Sequence, residues 1–422
     1  MRRMLARSRS QLFLFRMPGY GARFWADRTA DQRRRSYPIF RGKTTADVVV
    51  IGGGLTGCAT AYALAAGGCD VVLLEAARLA DGATAASIGA IVPQPDASYA
   101  AVERIAGARA TGNAWRETRR ASLELGSALR KLKIRCDLEP TELLITARTI
   151  DDAPGLLREK AARKKAGLDA AALSARAARQ ALGQDTAGAI RLHDAFEFDP
   201  VRATLGFAAA ASLKGAKVFE RSAVKRTRFT RKDAQVILEN GGVIQTRGIV
   251  VATGEPGALF GQLRRHVHAA EGYVVVTHPL TAAMRRGLGP RKGVITEAGS
   301  DSHWLRWLPE DRILFAGAPG APANERQRQK LLVQRTAQLM YELSVRYPAI
   351  SGLPAAWGWH VPVVSTSDRL PWIGAHRNYP HHFFAMATGW EGAALAWFAA
   401  KAAARHFRDE ARREDETFGF GR

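Results

Sequence analysis

Two kinds of apolar pattern alternate along this chain and divide it into elements. Unbroken apolar runs at residues 48–51, 71–74 and 248–254 suit strands buried on both faces. Stretches rich in Ala, Leu and Arg with helical spacing fill 100–133 and 153–183. Asp199-Pro200 is a helix-start signal, and an alanine-rich helix should run from it to about residue 213. Short strands are predicted at 217–224, 226–229, 234–239 and 243–246, with a turn at Asn240-Gly241-Gly242. The β pattern continues at 273–277, 294–296, 304–308 and 313–316, in what reads as a separate sheet. A long amphipathic helix is predicted over 324–347, stopped by Pro348. A strand at 383–387 and a helix through 407 close the pattern, and the charged tail 408–422 is expected to fray.

The chain is organised around residues 46–75, ADVVVIGGGLTGCATAYALAAGGCDVVLLE. Gly52, Gly54 and Gly57 have G-x-G-x-x-G spacing. The first permits a tight turn, the second lets a pyrophosphate approach the backbone, and the third lets the next helix pack closely on the strand. With 40 glycines in 422 residues, that spacing alone is weak. A strand, the glycines, a helix, a second strand and a terminal acid within one 30-residue unit form a much stronger signal for a dinucleotide site. Glu75 suits a ribose hydroxyl and disfavours a 2′-phosphate, so FAD or NAD is expected rather than NADP.

Composition narrows the class. Apolar residues make up 47% of the chain and charged residues 24%, as in a globular protein with room for two domains. No apolar run approaches the roughly 20 residues that span a bilayer. Cys58, Cys69 and Cys136 form no metal-ligand spacing and no C-x-x-C pair, so no metal site is expected and nothing suggests an oxidising compartment. A cytoplasmic location follows as the expectation. The 62 basic and 39 acidic residues leave a net charge of +23. A surplus of this size suits nucleic acid, an anionic membrane surface or acidic substrates, or is simply a solvated surface. No basic run is interleaved with aromatics as a single-strand platform requires, which argues against nucleic acid. Residues 1–16 are basic, with a short apolar patch at 12–15. They read as a disordered extension, or as a start read too early with Met17 the true one; a membrane-surface segment is the alternative.

Four ordered motifs, VVVIGGGLTG with Glu75, DGATAASIGA, VVATG at 250–254, and STSDRLPWIG followed by ATGWEGAALAW, resemble the FAD-dependent oxidoreductases of the D-amino-acid oxidase family, in its glycine oxidase/sarcosine oxidase-like branch. The resemblance covers most of 47–407, and the RFWAD leader is similar to putrescine-catabolic and related members. It implies an α/β fold: a Rossmann-like FAD-binding domain from 45–98, 186–258 and 355–408, and a discontinuous α+β substrate domain of antiparallel sheet plus helices from 99–185 and 259–354. Residues 1–44 form an extension and leader, and 409–422 a tail. The activity implied is hydride transfer from a C–N or C–O bond to flavin, with O₂ or another acceptor reoxidising it.

On that resemblance Gly52, Gly54, Leu55, Thr56 and Gly57 hold the pyrophosphate, and Glu75 with Ala76 the ribose. Arg78 reaches the adenine side or a phosphate, or is a plain surface arginine. Thr84 and Ser87 meet phosphate or ring edges, or cap a helix. The segment lacks His and Cys, so FAD should be non-covalent. Val224, Thr253 and Gly254 lie where crossing strands pass the cofactor, and Asp368 folds against the ring or caps its own turn. Gly389, Trp390, Glu391 and Gly392 open a helix whose positive end faces the flavin pyrimidine. Arg306, in HWLRW, matches a family arginine for a substrate carboxylate, with a surface arginine as the alternative. The second family arginine is absent from WGWHVPVVSTSD, where His360 could substitute. His268, before the strand at 273–277, could orient substrate or keep an amine neutral; for both histidines a structural role is the alternative.

The leading expectation is oxidation of the C–N bond of a small amine or amino acid: N-substituted, D-configured, or a polyamine derivative. The alternatives are a 2-hydroxy-acid dehydrogenase of the same fold, a tRNA-base-modifying enzyme favoured by the charge, and a non-catalytic FAD-binding assembly protein.

Overall fold

The computed structural model describes residues 20–29, 34–168, 170–290, 292–299, 303–386, 388–390 and 392–422. Residues 1–16 and Met17 therefore lie outside the described residues, as does Glu391.

Two sheets carry the architecture. The first has eight strands, with Trp372–His376, Tyr379–Met386, Val243–Gly254, Lys43–Ile51, Val71–Leu74 and Lys217–Phe219 in spatial order. The hairpin Val224–Phe229/Ala234–Leu238 joins beside Val243–Gly254. Lys43–Ile51 pairs in parallel with Val71–Leu74 on one side and Val243–Gly254 on the other, so Val48 to Ile51 are buried on both faces. Helices Leu55–Ala66, Pro200–Leu213 and Ala393–His406 cover one face in a core dominated by alanine. Small side chains let these helices approach closely, and Phe207 and Trp397 fill the gap by stacking at 5.6 Å.

The second sheet has nine strands: Ala355–Ser365, His268–Thr277, Arg312–Gly320, Trp304–Leu308, Val294–Glu297, Glu139–Ala147, Gly188–Glu197 and Ala90–Ile91, with Ala171–Leu173 attached to Gly188–Glu197. It is mixed rather than purely antiparallel, because Val294–Glu297 runs parallel to Glu139–Ala147. Gly188–Glu197 and Ala355–Ser365, expected among the cofactor segments, are strands of this sheet. Conversely, helix Tyr99–Lys131, expected on the substrate side, contributes Trp115, Leu125 and Leu129 to the core of the first. The long helix Glu325–Arg346, capped by Asn324, covers the outer face of the second sheet.

Other departures have local causes. The helix predicted over 153–183 divides into Ala153–Lys165 and Ala175–Leu182, because Gly167 turns left-handed at φ 69° and Ser174 caps a new start. The two strands expected at 243–246 and 248–254 are one, since Gly248 marks a close approach and not a break: a Cβ there would stand 2.2 Å from the Phe407 ring. The tail is ordered. Arg405 grips Asp415 with two nitrogens, Phe418 is fully buried with its ring 5.0 Å from Phe398, and Arg422 donates to Asp368 at 2.6 Å.

The leader also belongs to the fold. Gly21 donates its N–H to the Gly358 carbonyl, and Asp27 accepts from the Trp357 indole at 2.8 Å. Helix Phe24–Arg28 buries Phe24 and Trp25, and further on the N–H groups of Tyr37 and Phe40 bond Glu220 and Ser222.

Two predictions follow from this packing. Phe418→Ala should destabilise the protein by roughly 3 kcal/mol, seen as a lowered denaturation midpoint; an unchanged midpoint would mean the tail is dispensable. The second concerns Glu297, which joins His303 at 2.7 Å and Arg346 at 3.1 Å beneath helix Glu325–Arg346. Burial alone would raise its carboxyl, but the His303 bond and the Arg346 charge outweigh it and pull it down from 4.5 to about 2. A depressed acid stabilises the fold above its unfolded value and loses that contribution as pH falls through the folded one. Glu297→Gln should therefore cost stability at neutral pH, and the gap from wild type should close between pH 4.5 and about 2.

Candidate FAD and substrate site

The glycine turn is set by distances that admit no side chain. Gly52 has φ 110°, and a Cβ there would stand 2.6 Å from the Ala252 carbonyl oxygen. A Cβ on Gly57 would stand 1.8 Å from the Gly52 carbonyl oxygen, backbone against backbone. A Cβ on Gly54 would stand 3.2 Å from the Thr84 hydroxyl, a tight contact, so this position too favours glycine. Helix Leu55–Ala66 begins here with no acidic residue in its first turn, leaving its positive end available to a phosphate.

Glu75 lies at the end of Val71–Leu74 and braces the turn. Its carboxylate accepts from Gly53 N–H at 2.6 Å and from Ala77 N–H at 2.8 Å. Ala76 is exposed beside it and Arg78 is half-buried. Ser222 donates its N–H to the Glu75 carbonyl, which brings the chain leading to Val224 past this corner. Thr84 accepts from Leu55 N–H at 3.0 Å, so it caps the glycine-turn helix rather than its own short helix. Ser87 donates to the Thr84 carbonyl at 3.0 Å. Thr253 and Gly254 are exposed at the end of Val243–Gly254, where Gly254 takes φ 79°. These residues fit an FAD: a glycine cradle that a Cβ would fill, a helix N-terminus with no acidic residue in its first turn and a carboxylate at the second strand end.

The later motif segments meet near residue 96. Trp390 donates its N–H to Asp96 at 2.8 Å, and Gly389, at φ 76°, has no room for a Cβ against that carboxylate. The Trp390 ring lies over Gly272, and Gly392 is crowded by Thr388. Asp368 accepts from Thr366 and from Leu370 N–H as well as from Arg422, so it caps its turn and ties in the C-terminus. Burial alone would raise its carboxyl, but Arg422 and Thr366 hold it below the usual range.

The three substrate-side candidates are not brought together. His360 is on the wrong face: Trp359 donates to the Ala86 carbonyl on the inner side, while Gly358 abuts Thr336 of the outer helix, and alternation puts His360 outward with Gly358. There it stands 3.8 Å from Glu271, and burial lowers its pKa. His268 is exposed at the start of its strand, 3.0 Å from the Ser367 hydroxyl. Arg306 does face inward but is spent on its own chain. Nη1 donates to the carbonyls of Ile88, Gly89 and Phe198, Nη2 faces Glu197 at 3.5 Å, and Trp25 lies 5.2 Å from the guanidinium. This corrects the expectation of an arginine held open for a substrate carboxylate; a buried guanidinium recruits whatever acceptors fold against it.

Trp25, Asp96 and Glu197 were missed by sequence reasoning. Trp25 donates to the Ser87 carbonyl at 2.8 Å, and Arg23 donates to the Asp81 and Gly82 carbonyls, so the leader lies over the segment after Glu75. The RFWAD similarity was the one signal for it. Asp96 and Glu197 carry no local signal.

The comparisons agree with this geometry. The model of the FAD dependent oxidoreductase family (DAO) matches residues 47–406, and the chain belongs to that family. Among curated proteins it is similar to gamma-glutamylputrescine oxidoreductase of Escherichia coli (strain K12), 24% identical over 380 residues that cover 88% of this chain and 85% of that one. Among solved structures it is similar to glycine oxidase from Geobacillus kaustophilus, with TM-score 0.73, 19% identity and coverage of 90% of this chain and 99% of that one. L-proline dehydrogenase from P. horikoshii gives TM-score 0.71 at 19% identity, covering 90% and 97%. The protein is an FAD-dependent oxidoreductase with the glycine oxidase fold. No helix among the described residues is long and apolar enough to cross a membrane.

Gly57→Ala should abolish FAD retention, because the added carbon meets backbone that cannot move aside. The flavin-to-protein absorbance ratio of the purified variant checks this, and a full complement of FAD would overturn the assignment of the turn.

Proposed function

We propose that the protein oxidises a C–N bond of a small amine, taking a hydride from the carbon next to nitrogen and leaving an iminium that water hydrolyses. The observation that carries this is the family's cofactor cradle, Gly52, Gly54, Gly57 and Glu75, in a chain similar along nearly its whole length to a gamma-glutamylputrescine oxidoreductase. Bound non-covalently, FAD would supply the two-electron acceptor.

The chain's own residues would do the rest. Leu55 and Thr56 open the helix toward the pyrophosphate, with Thr84 fixing its first turn. Ala76, Arg78 and Val224 would border the ribose and adenine side, Thr253 and Gly254 would stand at the end of the crossing strand, and Ser87 would meet phosphate or ring edges. Gly389, Trp390 and Gly392 lead into helix Ala393–His406, whose positive end would favour negative charge on the ring. The apolar inner face of the second sheet, with Val274, Val276 and Leu314 buried, would exclude water and favour the uncharged amine that can release a hydride.

Anaerobic mixing with primary, secondary and polyamine-derived amines should bleach the flavin, faster as pH rises and the free base accumulates. Acid precipitation should release the FAD into the supernatant. Bleaching by 2-hydroxy acids and by no amine would sink this reading.

A further inference from the structure

Carboxylate recognition on a buried surface needs a cation, because an ionised carboxylate moved out of water without a partner costs several kcal/mol. The inner face of the second sheet, which covers the segment after Glu75, holds such a cation in Arg306, only 4% exposed. All of its contacts lie within the chain. Three main-chain carbonyls take Nη1, and the Glu197 carboxylate takes Nη2 at 3.5 Å. The two side chains are 5% and 19% exposed, so the pair is largely out of water. Burial pushes the Glu197 carboxyl up, and Arg306 opposes that rise.

We propose that this chain selects amines whose reacting carbon bears no carboxylate, because Glu197 already occupies the guanidinium that a substrate carboxylate would need. The inference rests on the amine-oxidising reading above. A substrate carboxylate arriving at Arg306 would place a second negative charge on a cation already neutralised, in a site of low dielectric.

Three other cations are engaged elsewhere or turned away. His360 is on the opposite face, as alternation along its strand requires. Arg312 donates to the Thr277 carbonyl at 3.0 Å and lies over Trp357 at 5.0 Å. Arg163 is held by Glu159 at 2.7 Å and by Gln94 at 2.6 Å, within its own buried network. The remaining inner-face residues, among them Trp304 and Trp359, offer apolar and aromatic surface suited to the methylenes of an alkylamine.

The test uses the FAD-loaded protein and matched amines that differ by one carboxylate on the amine-bearing carbon: butylamine against norvaline, and pyrrolidine against proline. The member without the carboxylate should reduce the flavin at least about tenfold faster, the factor that 1.4 kcal/mol of binding supplies. In parallel, acetate and pyrrole-2-carboxylate should leave the wild-type flavin spectrum unchanged. In Glu197→Gln, which keeps the shape and removes the charge, they should perturb it saturably. Faster reduction by the carboxylated member, or a saturable carboxylate response in wild type, would overturn the proposal. So would a Glu197→Gln protein that retains FAD and the wild-type melting temperature yet ignores carboxylates. If no amine reduces the flavin, the amine-oxidising reading fails and the wild-type carboxylate titration still decides this one. The same titration decides it if Glu197→Gln does not fold.

Discussion

The contact between Gly57 and the carbonyl of Gly52 sets the scale of the first half of the molecule. It brings helix Leu55–Ala66 as near to strand Lys43–Ile51 as backbone allows, since even one carbon would fall 1.8 Å from an oxygen. At that separation large side chains do not fit. The interlocking faces of this helix and of Ala393–His406 are accordingly built from alanine, with Ala59, Ala61, Ala400 and Ala403 at 1% exposure or less. The same proximity sets the helix N-terminus at the glycine turn, so close packing and the electrostatics of the cofactor cradle share one cause.

A second constraint operates where the sheets meet. Arg306 gathers carbonyls from residues 88, 89 and 198, which come from two separate parts of the chain. A guanidinium buried this deeply is tolerated because several acceptors and a carboxylate replace its hydration. The arrangement gives the strand Trp304–Leu308 a fixed relation to the segment after Glu75, and it decides what that face can recognise.

Legibility in the sequence follows the range of the interactions. The unit at 46–75 was readable because strand, turn, helix and terminal acid all lie within one short segment and each has its own signature. The helix start at Asp199-Pro200 was readable for the same reason. Strands Glu139–Ala147 and Ala355–Ser365 were not assigned, because their residues are set by partners far along the chain. Charge misled in the tail: Asp415 and Arg422 look solvent-bound in sequence, yet each meets an opposite charge only after folding. Arg306 stood out in the sequence for its place in HWLRW, but its main-chain acceptors have no side-chain identity for a sequence to reveal.

The leader ties the beginning of the chain to a part made late. Tyr20 bridges Gly358, and Asp27 holds the indole of Trp357, more than three hundred residues away. During synthesis these first residues leave the ribosome long before strand Ala355–Ser365 exists. Trp25 and Arg23 can meet residues 81–87 early, whereas the contacts of Tyr20 and Asp27 must form late, a closure across nearly the whole contour. A change that weakens the Asp27–Trp357 contact would therefore act on that late closure rather than on the assembly of the first sheet.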